Sequence, residues 1–499
     1  MDISSGFLVI ATLLFVFVMA FFPFQSEDLF MYLAIAREFF STGSFPRTDP
    51  FLFSIPNYEW QIMHEWASYL FFYGLYKTGG LFLVTGTKAL IICLSMALPL
   101  FWKNHHPLKL FVWSASVMVV AFAASFRFVE RANLFSDLFA TLVFAICLAE
   151  TIKPSKTKYG LPIIFLVWVQ LHPGHLLGLF ICIIFCLTHI SARSLKEYQK
   201  FVALTLLSGV VCLVNPDGLH GMLYPITFAL NEGKVMQEYY YEWFPSYQGV
   251  FLDKIEIHLM LGLVIVYAIF FMGGLVLKYK SWTQDSPGIL GNKQGALFAV
   301  VVLSLITFMA LKGIRFIPTL GYFLITAGCF VVPERRNSSR QGKINLLLIV
   351  VVICFILKIM TVGYASMGVK RTFGYGIDPV AQPTKNLEII EQANFNANMY
   401  NSHRFGSYLA WQWQKKRKIF YHGFVTDMNF YTRDYFGISR SKKDFDQLVG
   451  KYHLKGFIIE RLHTARPLLE IISTHPDWQF VSEDPASLLF IKKDVIRHD

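Results

Sequence analysis

Long apolar runs alternate with short polar linkers over the first three quarters of the chain. An α-helix of about 20 residues crosses the ~30 Å hydrocarbon core of a bilayer, so each run of this length is a candidate membrane span. The runs are 3–24, 80–102, 108–126, 133–151, 159–173, 174–191, 200–214, 256–277, 295–311, 316–333 and 343–363. The pattern predicts an α-helical polytopic membrane protein with about eleven transmembrane helices.

The last part of the chain has a different pattern and predicts a small C-terminal α/β domain. Short alternating segments there favour strands, and one segment has helical spacing. Asp484-Pro485 favours a turn between the last two predicted strands. The predicted strands are Lys418–Phe424, Lys455–Glu460, Trp478–Val481 and Leu488–Lys492, and the predicted helix is Ala465–Ser473. We therefore expect a transmembrane domain over 1–363 and a separate domain over 364–499.

The distribution of charge supports the membrane interpretation and predicts how the protein is oriented in the membrane. The chain has 499 residues, of which 55% are hydrophobic and 16% charged, and its net charge is +12. With eleven spans, all basic linkers lie on the side of the N-terminus: 103–109, 153–158, 193–200, 278–293 and 334–343. The positive-inside rule then predicts a cytoplasmic N-terminus and an extracytoplasmic C-terminal domain. It also explains the positive charge without a nucleic-acid partner.

Two long outer loops, 25–79 and 215–256, contain half of the candidate residues. Asp28 follows the first span and opens an amphipathic stretch, Asp28–Thr42, that suits an interfacial helix. Carboxylates at membrane depth are costly and are functional candidates by default. Asp28 also suits a helix cap, and Asp49 before Pro50 suits a turn. His64 and Glu65 precede Trp66, whose other interpretation is an interfacial anchor.

Basic and histidine side chains mark the shorter outer turns. Arg131 follows Arg127 and Glu130, so it is either a phosphate ligand or part of an internal pair with Glu130. His172 and His175 flank a Pro-Gly break and suit substrate contact or bundle hydrogen bonds. The remaining candidates are Glu242, for an acceptor groove, and Lys312 with Arg315, for a lipid phosphate or an interfacial anchor.

Several of these segments resemble one bacterial branch of the GT-C superfamily of membrane glycosyltransferases. The similar segments are the first loop from Asp28 to Trp66, VWVQLHPGHLLG (167–178), NPDGL (215–219), EWFP (242–245), GIRFIP (313–318) and NSHRFGSYLAWQW (401–413). The chain departs from the pattern at Ala132, Gln170 and Pro173, and at residues 422–424.

The resemblance implies a glycosyltransferase that moves a hexosyl or pentosyl group from a polyprenyl-phosphate donor. The acceptor would be a lipid, glycan or protein on the outer face of a bacterial inner membrane. Asp28 matches the position of the catalytic base, with Glu65 and His64 assisting, and a divalent metal ion is an open option. The substrate-binding candidates are Asp49, Arg131, His172, His175, Glu242, Lys312 and Arg315.

Two alternatives stay open at this point. A transporter or lipid flippase would show inverted repeats and charges at mid-membrane, and the sequence has no convincing internal repeat. A non-catalytic GT-C-like assembly protein is compatible with the departures from the family pattern.

Overall fold

The computed structural model describes residues 3–102, 106–190, 195–279, 293–331, 339–462 and 465–496. The basic linkers predicted at 103–109, 193–200, 278–293 and 334–343 lie partly outside these residues. Contacts divide the chain into two compact units. The helical unit comprises Met1–Phe22, Met63–Trp66 and Phe82–Tyr375, and the second unit comprises Pro23–Ile62, Ala67–Leu81 and Gly376–Asp499. The domain boundary predicted after residue 363 stays a prediction.

Helices make up most of the chain before residue 363. They are α1 Ile3–Ala20, α2 Asp28–Thr42, α3 Trp66–Ala97, α4 Pro107–Ala124, α5 Asn133–Ile152, α6 Leu161–Leu171, α7 His175–Thr188, α8 Leu195–Val211, α9 Gly218–Asn231, α10 Gly233–Tyr239, α11 Ile255–Tyr279, α12 Lys293–Lys312, α13 Ile317–Val331 and α14 Ser339–Val362. Among the described residues, eight helical segments are long and apolar enough to cross a membrane. The polytopic helical class is confirmed. The other three predicted spans coincide with the shorter helices α6, α7 and α8, so the count of eleven stays a prediction.

Two local boundaries follow from the sequence. Helix α2 begins and ends at the predicted residues, and Gly43, in the left-handed region at φ 77°, terminates it. Helix α3 is interrupted at Gly79 and Gly80, and Gly80 has φ 60° and ψ −155°, a conformation that favours glycine. The break lies where the predicted loop 25–79 ends and the predicted span 80–102 begins.

The core of the helical unit is built around α4, which packs against α1, α11 and α13. Aromatic rings fill the spaces between helices, and the Phe144 and Phe323 rings stack with centroids 4.6 Å apart. A charge buried in an apolar bundle is costly unless it is paired. Lys88 on α3 pairs with Glu130 at 2.5 Å, and both side chains are 0% exposed. Glu130 thus pairs with a lysine rather than with either arginine of its own turn.

The part of the chain from residue 364 onwards contains all six described strands and the shorter helices. They are β1 Tyr364–Ser366, β2 Val369–Arg371, α15 Thr384–Gln392, β3 Met399–Asn401, α16 His403–Trp413, α17 Met428–Phe430, α18 Lys442–Tyr452, β4 Gly456–Glu460, α19 Arg466–Thr474, β5 Trp478–Glu483, β6 Ser487–Lys492 and α20 Lys493–Ile496. The hairpin β1–β2 belongs to the helical unit.

The C-terminal sheet has the strand order β3-β4-β6-β5, with β3 and β4 parallel and the other pairs antiparallel. Strands β4, β5 and β6 and helix α19 confirm four of the predicted elements. The predicted strand Lys418–Phe424 is wrong, because only Ile419 makes a strand-like bridge, with Leu52. The Asn401 side chain instead accepts from Phe420 N at 2.8 Å and donates to Tyr421 O at 2.8 Å. These side-chain bonds take the place of the backbone bonds that a neighbouring strand would make.

Candidate functional site

Three arginines of the helical unit surround one carboxylate. Arg127 donates to Glu242 Oε2, and Arg131 donates to the same oxygen at 2.6 Å. Arg315 lies with its Nη1 3.9 Å from Glu242 Oε1. We call Arg127, Arg131, Arg315 and Glu242 the arginine cluster. It carries three positive charges against one negative charge, so it retains a positive surplus that suits an anionic group.

Each member of the arginine cluster comes from the end of a helix or from a loop. Arg127 ends the short turn after α4, and Arg131 lies just before α5. Arg315 lies between α12 and α13, and Glu242 lies in the short turn after α10. Helix ends give the guanidinium groups fixed positions. Arg371 supports the turn of Arg127, because its guanidinium donates to Ser125 O and to Phe126 O.

The electrostatics of the cluster keep Glu242 ionised. Burial by itself would raise the pKa of the Glu242 carboxyl, but Arg127, Arg131 and Arg315 outweigh burial and hold that pKa well below its usual range. The carboxylate is therefore charged at any pH near neutrality. Arg131, Glu242 and Arg315 are each between one fifth and one third exposed, whereas Arg127 is buried.

A series of polar contacts leads from Trp168 through Ser136 and His172 to Glu65. Trp168 Nε1 donates to Ser136 Oγ at 2.7 Å, and Ser136 Oγ lies 2.7 Å from His172 Nδ1. Gly174 N also donates to His172 Nδ1, at 3.0 Å. Nδ1 is thus an acceptor, which places the ring proton on Nε2, 3.4 Å from Glu65 Oε1. The arrangement is an oriented histidine–carboxylate pair.

Gly174 makes this arrangement possible, and we expect Gly174→Ala to disrupt it. A Cβ at Gly174 would lie 2.2 Å from Ser136 Oγ and 3.2 Å from His172 Nδ1. Overpacking of this kind costs about 1–3 kcal/mol. We expect a lower thermal unfolding midpoint in detergent. Gly209→Ala in α8 is the matched control, because a Cβ there meets nothing within 4 Å. An unchanged midpoint for Gly174→Ala would contradict the close approach.

An aromatic row connects the histidine region with the arginine cluster. The His64 ring stacks on Tyr224 at 4.1 Å, and Tyr224 lies 5.7 Å from Phe228. Phe228 lies 6.0 Å from Trp243, and the Arg315 guanidinium lies 4.2 Å from the Trp243 ring centroid. The rings of this row are half-buried.

Two further predicted residues lie apart from these contacts. His175 is buried, and its Nε2 lies 3.2 Å from Met222 O, a contact between α7 and α9. Lys312 is exposed at the end of α12, and its ammonium lies 5.8 Å from the Phe308 ring centroid. Substrate-binding roles for both stay predictions.

Asp28 and Asp49 belong to the second unit. Asp28 is the first residue of α2, and its amide donates to Ser26 Oγ at 3.3 Å. Asp49 is fully buried and pairs with His422 at 2.6 Å. Phe424 N donates to His422 Nδ1, so the Nε2 proton of His422 points at Asp49. This pair joins the first outer loop to the C-terminal segment of the same unit.

Sequence reasoning missed several partners in these sites. Arg127 precedes Arg131 by four residues in the same turn between α4 and α5, and its contact with Glu242 was not predicted. Ser136 and Tyr224 carried no signal, since serine and tyrosine are common in apolar helices. His422 carried none either, because its partner lies 373 residues away.

The described part of the chain contains no clear set of ligands for a divalent metal ion. Within those residues, no group of three or more His, Cys, Asp or Glu side chains is placed to hold a metal ion. Glu65 and His172 together supply two donors. We therefore assign no metal ligands and derive no chemical step through a metal.

Comparisons with known proteins give structural relatives. No protein-family profile matches the sequence, and no curated protein sequence matches it. The chain is similar to the archaeal oligosaccharyltransferase AglB from Archaeoglobus fulgidus, solved in complex with an inhibitory peptide and a dolichol-phosphate. The TM-score is 0.54 at 10% identity, over 92% of this chain and 69% of that chain.

A second relative is the arabinofuranosyltransferase AftD from Mycobacteria. Here the TM-score is 0.50 at 12% identity, over 98% of this chain and 40% of that chain. The chain thus spans less than half the length of AftD. Both relatives are GT-C superfamily membrane glycosyltransferases, and the similarity confirms the resemblance found in the sequence motifs at the level of fold. The protein is a polytopic integral membrane protein with a GT-C-like fold.

Proposed function

We propose that the protein transfers a sugar from a polyprenyl-phosphate donor to an acceptor on the extracytoplasmic side of a bacterial inner membrane. The proposal orients the N-terminus to the cytoplasm and the C-terminal segment outside, following the basic linkers. The acceptor is a hydroxyl or amine of a lipid, glycan or protein.

The observation that carries the proposal is the arginine cluster. Departure of a polyprenyl phosphate leaves negative charge on the phosphate oxygens, and guanidinium groups stabilise that charge with paired hydrogen bonds. Arg127 and Arg131 donate to one oxygen of Glu242, and Arg315 lies 3.9 Å from the other oxygen, so three guanidinium groups converge on one carboxylate. AglB was solved with a dolichol-phosphate, which supports a polyprenyl-phosphate ligand for this fold.

The remaining roles follow from the resemblance and the geometry. Asp28 acts as general base: it takes the proton of the acceptor group as the acceptor attacks the anomeric carbon. The bond between the anomeric carbon and the phosphate oxygen breaks, and polyprenyl phosphate leaves with inversion at that carbon. Glu65, oriented by His172, and His64 contact the sugar or the acceptor, and Glu242 holds the arginines in position.

The test is turnover of labelled donors by the purified protein in liposomes. We offer radiolabelled polyprenyl-phosphate hexoses and pentoses together with a membrane extract as the acceptor source. We expect loss of sugar from one class of carrier and its appearance in the extract. Absence of turnover with every donor, by folded protein with acceptor present, would contradict the proposal.

Variants of the arginine cluster test the phosphate site itself. We expect Arg131→Gln and Arg315→Gln each to raise the KM for donor about tenfold or more, because a hydrogen bond to a charged group contributes about 1.5–3 kcal/mol. Arg466→Gln is the control, since this arginine is exposed and pairs with Glu470. An unchanged KM in both cluster variants would exclude the cluster as the phosphate site.

A further inference from the structure

The four residues that lead into Asp28 are held by the C-terminal segment 376–499, which we call the tail. Phe24 N donates to Gly376 O at 2.8 Å, and Asp378 N donates to Phe24 O at 3.1 Å. Gln25 Nε2 donates to Asp378 Oδ2 at 2.9 Å. Residues 376–378 therefore hold the segment just before α2 in place by hydrogen bonds.

The last of the four residues pairs with a tail histidine. His403 Nδ1 lies 3.3 Å from Glu27 Oε2, and both side chains are 22% exposed. The His403 amide donates to the Tyr435 hydroxyl at 2.6 Å, and the His403 ring lies 5.4 Å from that of Tyr421. These contacts fix the position of the imidazole, and Glu27 is the residue that directly precedes Asp28.

A third segment of the tail, at Gly423, packs close to the Glu27–His403 pair. A Cβ built on Gly423 would lie 3.2 Å from His403 Nε2 and 3.8 Å from Glu27 Oε2. The backbone at residue 423 thus approaches the pair closely. Residues 376–378, 403 and 423 of the tail all meet the short stretch that determines where α2 begins.

We propose that Glu27 and His403 are positioning residues for Asp28, so the tail forms part of the catalytic apparatus. The proposal rests on the proposed function, in which Asp28 is the base. The peptide on the N-terminal side of a helix fixes the direction in which its first side chain points. General-base catalysis depends on this direction, since a misplacement of about 1 Å can cost about 10²-fold in rate.

The same helix supplies an internal comparison. At its other end, Glu38 pairs with Lys415 of the tail, and Arg37 donates to Trp411 O at 2.8 Å. These contacts also attach α2 to the tail. They lie about ten residues from Asp28, or about 15 Å along the helix. If the tail only attached the helix, loss of either contact would lower kcat to the same extent. If the contact near Asp28 positions that residue, its loss lowers kcat more than loss of the far contact.

The experiment compares two substitutions of His403 with one of Lys415. His403→Phe keeps the ring packing against Tyr421 and removes the bond to Glu27. His403→Asn removes the ring and places an amide donor near the position of Nδ1. Lys415→Gln weakens the far attachment. For each variant we measure kcat and KM of sugar transfer with the labelled donor, and the thermal unfolding midpoint.

We expect His403→Phe to lower kcat about 10- to 100-fold with KM for the donor unchanged. His403→Asn retains more of the wild-type kcat than His403→Phe, and Lys415→Gln retains nearly all of it. The reverse order of the two His403 variants, or equal loss in Lys415→Gln, would show a packing role and overturn the proposal. If His403→Phe does not fold, Glu27→Leu against Glu27→Gln makes the same comparison.

Failure of this inference is distinguishable from failure of the proposed function. A wild-type protein that turns over no donor contradicts the function itself. A wild-type protein that is active and requires Asp28, with fully active Glu27 and His403 variants, leaves the function in place and removes the tail from the catalytic apparatus.

Discussion

Asp28→Asn is expected to lower kcat for sugar transfer by a factor on the order of 10²–10⁴, the usual contribution of a general base. Asparagine has the size of aspartate but cannot accept the proton of the acceptor. Asp28 also lies in the first turn of α2, where a negative charge favours the helix by about 0.3–1 kcal/mol. We therefore expect the variant to fold and to bind donor with a KM close to that of the wild type.

Glu38→Gln is the matched control for this substitution. It removes a carboxylate from the same helix, and Glu38 pairs with Lys415 at the end remote from Asp28. We expect it to retain nearly full activity. Asp28→Asn with wild-type turnover would exclude Asp28 as the base and would leave the helix-dipole effect as its explanation. A capping role does not apply, because Glu27 occupies the N-cap position.

Local patterns predicted the helices well because a helix is determined by its own sequence. Helix α2 was predicted with both ends correct, and the glycines at 79 and 80 marked the interruption of α3. Strands β5 and β6 followed from short alternating segments around a turn. The segment Lys418–Phe424 had a similar pattern, but its hydrogen-bond partners are the side chain of Asn401 and the backbone of residues 51–53. A side chain that replaces a strand partner leaves no periodic signal.

The sequence allowed individual candidate residues to be identified, but it did not predict which of them contact one another. Arg131, Glu242 and Arg315 were each identified from a loop or turn. The structure brings Glu242 together with Arg131 across 111 residues of the chain, and also with Arg315. The pairing depends on which helix ends adjoin, which hydropathy does not encode. For the same reason the partner of Glu130 was not predicted: a pair with an arginine of its own turn was one alternative, and the structure pairs it with Lys88 on a different helix.

Loss of the Lys88–Glu130 pair is expected to have the largest effect on stability. Glu130→Gln leaves the Lys88 ammonium in a site that is 0% exposed, 3.7 Å from the centroid of the Phe22 ring and without its carboxylate. Removing one partner of a buried ion pair costs about 3–5 kcal/mol. The variant should therefore unfold at a lower temperature in detergent, or fail to accumulate in the membrane. Asp253→Asn is the control, because that carboxylate is largely exposed beside Lys254.

The double variant Lys88→Met/Glu130→Leu separates the cost of an unpaired charge from the value of the pair. Replacement of a buried ion pair by apolar side chains of similar volume is often neutral or stabilising by about 1–4 kcal/mol. We expect the double variant to recover most of the midpoint lost in Glu130→Gln. Recovery would show that the two charges tolerate burial only because they neutralise each other. A double variant as unstable as Glu130→Gln would show instead that the pair itself holds α3 against the turn that bears Arg127 and Arg131.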